Sequence, residues 1–250
     1  MDRTETTTTH VVLVAGHWLG GWAWDAVAGR LAQHGHHVEA VTLPGTSPGE
    51  SHTNLTDQIT ALELVVERAP EPPVVVAHSG AGRVVTGVLD RHPRAVRRVV
   101  YVDSGPAADG SVFDETVAED VESIELPTWA ELSAGGASLE GLSEQDLATF
   151  RERAVPVPAA VARERLHLRD DARLTVPTTI IATSLPSDVM MGLAQQGHPM
   201  FAEVSRLTDL ELIDLPTGHW PMWSRPHDLA EAINAAARSE SGHRAAEPSV

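Results

Sequence analysis

Short apolar runs alternate along the chain with longer segments in which apolar residues recur every three or four positions. The runs predict strands at 10–15, 38–43, 74–77, 96–102, 178–183 and 211–215. The amphipathic segments predict helices at 24–34, 55–68, 82–91 and 229–238, with Pro93 ending the third helix and Pro226 opening the last. This alternation is typical of a parallel sheet with crossover helices. We therefore predict an α/β fold with a mostly parallel sheet of about six strands.

The alternation stops between residues 104 and 174. This acidic segment contains helical spacing at 128–132 and 144–154 and a turn-rich stretch at 155–158. A disordered linker is the alternative, but the amphipathic spacing favours an ordered helical cap inserted after the fourth strand. We predict a core of residues 1–103 and 175–250, a cap of residues 104–174, and a flexible polar tail at 239–250.

Composition narrows the classes of partner and compartment. The chain has 18 basic and 35 acidic residues, a formal net charge of −17, which argues against binding nucleic acid or anionic membranes. It contains no cysteine, so disulfides, thiolate catalysis and cysteine-based zinc sites are excluded. Residues 1–5 lack the features of a signal peptide, and no run approaches the roughly 18 apolar residues of a membrane span. We expect a cytoplasmic protein.

A serine stands where the third predicted strand gives way to a helix. Ser79 lies in the run Ala77-His78-Ser79-Gly80-Ala81, directly after apolar residues 74–77. A sharp strand-to-helix turn pushes the serine hydroxyl out of the sheet, with backbone N–H groups behind it. The residues two positions before and after it must be small, because larger side chains would collide in the bend. Ser79 is therefore the candidate nucleophile, and it needs an adjacent base.

The candidate base is His219, within Thr217-Gly218-His219-Trp220. An imidazole can accept a proton and return it near neutral pH. A short loop separates His219 from the last predicted strand, which puts it at the carboxyl edge of the sheet, where α/β proteins bind ligands. Histidines also cluster at positions 34, 36 and 37. This cluster lies at a helix-to-strand turn with no carboxylate between its members, so we expect no metal there.

These segments resemble the α/β-hydrolases, and more narrowly the small esterases that group with plant methyl-ester esterases and hydroxynitrile lyases. The similar segments are Val-Val-Leu-Val-Ala-Gly-His-Trp at 11–18, Gly-Gly-Trp-Ala-Trp at 20–24, the serine turn, Val-Tyr-Val-Asp at 100–103 and Gly-His-Trp-Pro-Met at 218–222. The family turn reads Gly-x-Ser-x-Gly, whereas alanine occupies both outer positions here. The usual His-Gly of the first loop is altered to Ala15-Gly16.

Two carboxylates compete for the role of the acid that orients His219. Asp103 directly continues the fourth predicted strand, and Asp188 follows the fifth after Leu185-Pro186 and Ser187. The resemblance favours an acid after that later strand, whereas a rigid strand end anchors Asp103 better. We favour Asp103 and keep Asp188 as the alternative.

Two backbone N–H groups are expected to stabilise an oxyanion. Gly80, which follows the nucleophile, supplies one of them. The resemblance points to His17 for the other, with Trp18 as the alternative.

The residues beside these motifs are candidates for the substrate pocket: Trp18, His78, Trp129, Trp220 and Met222. Plain core filling is the competing interpretation for aromatic residues of this kind, above all for Trp22, Trp24 and Trp223. An apolar, aromatic-lined site would favour uncharged esters or lactones.

The sequence thus predicts a serine hydrolase that cleaves a small carboxylic ester or lactone through an acyl-enzyme, with no cofactor and no metal, and with a homodimer as the candidate assembly. One alternative is a cofactor-free lyase, since some members of the similar subgroup cleave cyanohydrins. The basic residue that such lyases need has no clear candidate, because lysine is missing around the motifs. Another alternative is a non-catalytic ligand-binding protein on the same fold.

Overall fold

A six-stranded sheet forms the centre of the molecule in a computed structural model that describes residues 8–50 and 52–239. The strands are β1 His10–Val14, β2 His37–Val41, β3 Val74–His78, β4 Arg98–Val102, β5 Ser123–Ile124, β6 Val157–Pro158, β7 Thr178–Ala182 and β8 Leu210–Asp214. Their order in the large sheet is β2-β1-β3-β4-β7-β8, and every neighbouring pair is parallel. The predicted α/β fold with about six parallel strands is confirmed. Strands β5 and β6 form a separate antiparallel pair.

Helices cover both faces of this sheet. The α-helices of the described residues are α1 Asp25–Gln33, α2 Leu55–Glu67, α3 Ala81–Arg91, α4 Trp129–Ala134, α5 Glu144–Arg153, α6 Ala159–Arg163, α7 Ser187–Gln195, α8 Pro221–Ser224 and α9 Pro226–Arg238. Successive strand residues point to opposite faces, so in β1 Val12 and Val14 pack with α2 and α3, whereas Val11 and Leu13 pack with α1 and α9. Burial on both faces explains why the strands are continuous apolar runs.

The helix boundaries follow from local capping chemistry. The N-cap residues of α2, α4 and α5 are Asn54, Thr128 and Ser143, and each forms a reciprocal capping box with the acidic residue three positions later. As predicted, Pro226 is the first residue of α9, and α3 ends two residues before Pro93. Two of these capping boxes belong to the segment predicted as a cap, and they explain why helices form there despite its high charge.

The structure corrects some predicted elements. Strand β4 begins at Arg98 rather than at residue 96, because Pro93–Ala95 form a turn of 3-10 helix. Helix α7 was not predicted, and it supplies the crossover that joins the parallel neighbours β7 and β8. Its first turn contains Asp188.

The segment between β4 and β7 contains α4, α5, α6 and the β5–β6 pair, and we call residues 104–174 the cap segment. It is tied to the core by Arg83 of α3. The buried guanidinium donates to the backbone carbonyl oxygens of Ser111 (3.1 Å), Val161 (3.3 Å) and Glu164 (2.6 Å). All three acceptors belong to the cap segment, so one core side chain fixes two stretches of it.

Two of the sequence expectations concern residues outside the described ranges. The described residues end at 239, so the predicted flexible tail at 239–250 lies outside them except for its first residue, and so do residues 1–5, for which no signal peptide was predicted. Throughout residues 8–50 and 52–239, every helix is too short or too polar to cross a bilayer.

Candidate active site

Ser79 lies in the tight turn between β3 and α3, with a positive φ of 51°. A Cβ on Gly16 would lie 2.8 Å from the Ser79 Cβ, so only glycine lets the first loop approach the turn this closely. The two flanking alanines, Ala77 and Ala81, are buried at 0% and 2% exposure. Alanine therefore fits the two small positions where the similar family has glycine.

A chain of hydrogen bonds links three side chains that are far apart in the sequence. The Ser79 hydroxyl lies 2.8 Å from Nε2 of His219, and Nδ1 of His219 lies 2.5 Å from Oδ2 of Asp103. A carboxylate can only accept, so Nδ1 carries the proton and Nε2 is free to accept from the serine hydroxyl. This arrangement can take a proton from the serine and hold the resulting imidazolium against a carboxylate.

Asp103 follows β4 and has a positive φ of 43°. Its Oδ1 accepts from the backbone N–H groups of Thr183 (3.3 Å) and Ser184 (3.0 Å), and its Oδ2 accepts from the Ser184 hydroxyl (2.6 Å) as well as from His219. Burial alone would raise the pKa of Asp103. The hydrogen bonds from His219 and Ser184 outweigh burial and hold that pKa well below its usual range, so the carboxylate is ionised.

The alternative acid, Asp188, does not join this network. It is exposed in the first turn of α7, where its carboxylate accepts from the backbone N–H of Val189. The physical reason is that Leu185-Pro186 carry the chain away from the sheet edge before the helix begins. The geometry supports Asp103 over Asp188.

The loop that carries His219 is held from two sides. On the cap side, His219 N–H donates to the carbonyl of Ser138 (2.7 Å) and Gly218 N–H donates to that of Glu140 (3.2 Å). From the core, Nε2 of His78 donates to the His219 carbonyl oxygen at 2.7 Å. Burial and the neighbouring His219 lower the pKa of His78 to about 3, so this imidazole is neutral. The cap segment thus helps to position the imidazole of His219.

The expected oxyanion donors lie beside the serine. Among the described residues, no hydrogen-bond acceptor is found for the backbone N–H groups of Gly80, His17 or the alternative, Trp18. The His17 ring stands against the Gly80 backbone, since a Cβ on Gly80 would lie 2.2 Å from Nε2. That ring also lies 3.9 Å, centroid to centroid, from the ring of Phe113 in the cap segment. Burial, followed by the charge of Arg83, lowers the pKa of His17 to about 3.

A narrow cavity opens next to these donors, with about 340 Å³ of empty space that includes open solvent. Its walls come from the loop after β1, from the Ser79 turn and α3, from the β2–α2 connection and α2, and from the cap segment. The lining residues are Ala15, Gly16, His17, Trp18, Leu43, Gly45, Thr46, Gln58, Gly80, Ala81, Val84, Val155, Val157 and Pro158. The lining is mostly apolar and contains no carboxylate. Trp18 is the one predicted pocket residue that lines this cavity.

The other predicted pocket residues do not line this cavity. The side chains of His78, Trp220 and Met222 are 1%, 2% and 0% exposed, so they lie in the core rather than in an open site. Trp129 packs against Phe150 (5.6 Å between ring centroids) and beneath the guanidinium of Arg151. Phe150 of α5 also contacts Trp220, and this aromatic packing fixes the cap segment to the core.

The histidine cluster near β2 has local partners. Nε2 of His34 contacts Glu231 at 2.7 Å, and Nε2 of His36 contacts Asn234 at 2.9 Å, both in α9. In the described part of the chain, no group of three or more histidine, aspartate or glutamate side chains is arranged to hold a metal ion.

The sequence analysis missed Ser184, Ser138 and Phe113. Small polar residues at the end of the strand beside that of Asp103 are a signal that could have identified Ser184. No such signal exists for Ser138 or Phe113, because their positions depend on how the cap segment folds back over the sheet edge.

Comparison with known proteins identifies a family model and relatives that match most of the chain. The family model described as the alpha/beta hydrolase family matches residues 11–232. A carbendazim hydrolyzing esterase of Nocardioides sp. (strain SG-4G) is 27% identical, with 90% of this chain and 98% of that protein covered. A pyrethroid hydrolase of Sphingobium wenxiniae is 24% identical, with 91% and 87% covered.

Solved structures with the same fold include a methylesterase from Arabidopsis. It has a TM-score of 0.71 at 19% identity, with 92% of this chain and 98% of that chain covered.

Proposed function

The chain belongs to the alpha/beta hydrolase family, and on that premise we propose that it is a serine esterase that cleaves a small carboxylic ester or lactone through an acyl-enzyme. The observation that carries the proposal is the unbroken hydrogen-bond chain from Ser79 through His219 to Asp103. The names of its relatives, an esterase and a hydrolase, agree with ester hydrolysis.

In the proposed reaction, Ser79 is the nucleophile and His219 is the general base. As the serine oxygen bonds to the ester carbonyl carbon, its proton passes to Nε2 of His219. The imidazolium then gives that proton to the alkoxide oxygen as the carbon–oxygen bond breaks, so the alcohol leaves and an acyl-serine remains. Water repeats the sequence, releasing the acid and restoring the serine. In a lactone the two products stay joined as one hydroxy acid.

Asp103 stabilises the imidazolium electrostatically and keeps Nδ1 protonated. The backbone N–H groups of Gly80 and His17 are the proposed oxyanion donors. The negative charge of each tetrahedral intermediate forms beside them, and removal of a single such donor in other enzymes costs about 10²–10³ in kcat. No step in this scheme uses a cofactor.

The position of the narrow cavity suggests how an ester lies in the site. The leaving oxygen must reach Nε2 of His219, so the alcohol part lies on that side of Ser79. The cavity is lined by the proposed oxyanion donors and by neither His219 nor Ser79, which supports placing the acyl part in it. Because Val84, Val155 and Pro158 line it and no carboxylate does, an uncharged acyl group fits it best.

Covalent labelling of the folded chain tests the proposal. A fluorophosphonate is expected to add one phosphonyl group to Ser79, and p-nitrophenyl butyrate to give a burst of one p-nitrophenol per chain with a butyryl mass increment. Ser79→Ala should abolish both signals, and His219→Gln should abolish the burst with the fold intact. A folded chain that neither reacts with the fluorophosphonate nor releases p-nitrophenol would refute esterase activity.

The same experiment separates the other functions considered from the sequence. A lyase would release its carbonyl product without an acyl-enzyme mass, and a ligand-binding protein would bind esters without turnover. All 18 basic residues of the chain are arginine, so it contains no lysine that could act as the basic residue of a cyanohydrin-cleaving lyase.

A further inference from the structure

The carboxylate of Asp103 is held mainly by the end of β7, the strand next to its own. Three of its four hydrogen bonds come from Thr183 and Ser184, and the fourth comes from His219. The backbone N–H groups fix Oδ1. The Ser184 hydroxyl donates to Oδ2 at 2.6 Å, the same oxygen that accepts from His219 at 2.5 Å.

We propose that Ser184 is a positioning residue for the esterase reaction, acting on His219 through the carboxylate of Asp103. This inference rests on the proposed function. Without the hydroxyl, Oδ2 would have one partner instead of two. Rotation about the Cβ–Cγ bond, a torsion with a broad energy minimum, would then be restrained only by the two bonds to Oδ1 and the bond to His219. With the hydroxyl in place, Oδ2 stays directed at Nδ1 and the imidazole keeps its orientation toward Ser79.

The second effect of Ser184 is electronic. A hydroxyl that donates to an ionised carboxylate forms a charge-assisted bond and lowers the proton affinity of that carboxylate. Burial of Asp103 acts in the opposite direction. The hydroxyl therefore helps to keep the shared proton on Nδ1 of His219.

The sign of the pH effect follows from these contacts. Hydrogen bonds to the ionised form depress the pKa of Asp103, so removing the Ser184 hydroxyl raises that pKa. Asp103 and its imidazole partner share one hydrogen-bonded proton and behave as a coupled pair, so a higher proton affinity of the carboxylate moves the acid limb of the activity profile to higher pH.

Helix α7 offers a matched control. The Ser187 hydroxyl donates to Oδ2 of Asp214 at 2.7 Å, and its backbone N–H donates to Oδ1 at 2.8 Å. The contact has the same chemistry as that of Ser184 with Asp103, but neither partner touches the Ser79–His219 pair. Ser187→Ala therefore removes a serine–carboxylate bond without touching the proposed proton relay.

The test compares variants by steady-state kinetics on p-nitrophenyl butyrate across pH 4.5–9. Ser184→Ala is expected to lower kcat about tenfold, the effect of about 1.4 kcal/mol, with KM unchanged. The acid limb of the activity profile should move up by about 0.5 pH unit, because only part of the lost interaction energy changes the proton affinity of the carboxylate. Ser184→Thr, which keeps the hydroxyl, should stay near the parent enzyme, and Ser184→Cys, a weak donor, should fall between. Ser187→Ala should change neither kcat nor the acid limb.

Proton NMR gives a readout that does not depend on turnover. The low-field Nδ1–H resonance of His219 should shift in Ser184→Ala and Ser184→Cys but not in Ser187→Ala. An unshifted resonance together with a parental pH profile, or equal kinetic losses in Ser184→Ala and Ser187→Ala, would overturn the role of Ser184. The proposed function and this inference can fail separately. If the parent protein lacks esterase activity but the resonance still shifts in Ser184→Ala, the proposed function is overturned and the Ser184–Asp103–His219 coupling remains.

Discussion

Replacing Arg83 with methionine should loosen the cap segment from the core. Arg83 is 9% exposed, and its guanidinium donates to three carbonyl oxygens of the cap segment. Burial lowers the pKa of Arg83 to about 10, so the side chain is still charged at neutral pH. Methionine keeps much of the apolar stem, so the loss is confined to the three bonds.

The magnitude follows from the number of bonds. A hydrogen bond contributes about 1 kcal/mol net to stability, so the three together contribute about 3 kcal/mol. For a chain of this size, that loss corresponds to a decrease in Tm of about 6–12 °C. Arg83 belongs to α3 and lies four residues after Ser79. We therefore also expect kcat/KM for p-nitrophenyl butyrate to fall severalfold.

Thermal unfolding followed by near-ultraviolet circular dichroism, together with limited trypsin digestion, measures both effects. Arg94→Met is the matched control, because Arg94 is exposed in the short 3-10 helix after α3 and its loss removes an equal charge. Trypsin should cut Arg83→Met faster than the control at the arginines of the cap segment. If Arg83→Met melts within 2 °C of Arg94→Met and is cut no faster, the guanidinium does not anchor the cap and the reasoning is wrong.

Two further predictions concern the site itself. Asp103→Asn should lower kcat for p-nitrophenyl butyrate by about 10⁴-fold, as loss of a triad acid does in other hydrolases, whereas Asp188→Asn should stay within twofold; comparable losses from both would reject Asp103 as the acid. Gly80→Ala should lower kcat/KM at least tenfold, because its Cβ would lie 2.2 Å from Nε2 of His17. The double variant His17→Ala/Gly80→Ala should recover most of that loss in the same assay, and a double variant as slow as Gly80→Ala would show that the clash is not the cause.

Those features of the fold that depend on local pattern could be predicted from the sequence. The runs at 74–77 and 98–102 predict buried strands whatever surrounds them, and small residues around Ser79 predict the turn. Helix α7 was missed because its flanking Pro186 and its Gly192 weaken the helical signal, while its parallel neighbours β7 and β8 require a crossover.

The features that depend on side-chain direction could not be predicted. Trp220 and Met222 flank His219 in sequence, yet the turn of α8 directs both into the core, where they fill space beside Phe150 and α9. The choice between Asp103 and Asp188 depended on where the chain after β7 turns. Both carboxylates follow strands that end at the same edge of the sheet. Only the folded loop after β7 shows that Asp103 contacts His219 and that Asp188 does not.

The backbone at the proposed site shows that the cap segment supports the conformation of that site. In the part of the chain that the structure describes, three residues other than glycine have positive φ: Trp18, Ser79 and Asp103. Each such conformation costs about 1–3 kcal/mol and persists only where surrounding contacts enforce it. The sheet enforces the conformations of Ser79 and Asp103. The Ser79 N–H donates a hydrogen bond to the carbonyl oxygen of Val102, and the Asp103 N–H donates to that of Ile181.

The third strained residue depends on the cap segment. The Trp18 carbonyl accepts from the Val155 N–H at 3.0 Å, and the Trp18 indole donates to the Ile124 carbonyl at 3.1 Å. The same segment supports the loop of His219 through Ser138. A proposed oxyanion loop and a proposed general base therefore share the cap as a scaffold. Any movement of the cap segment large enough to break these bonds would therefore relax both proposed groups together.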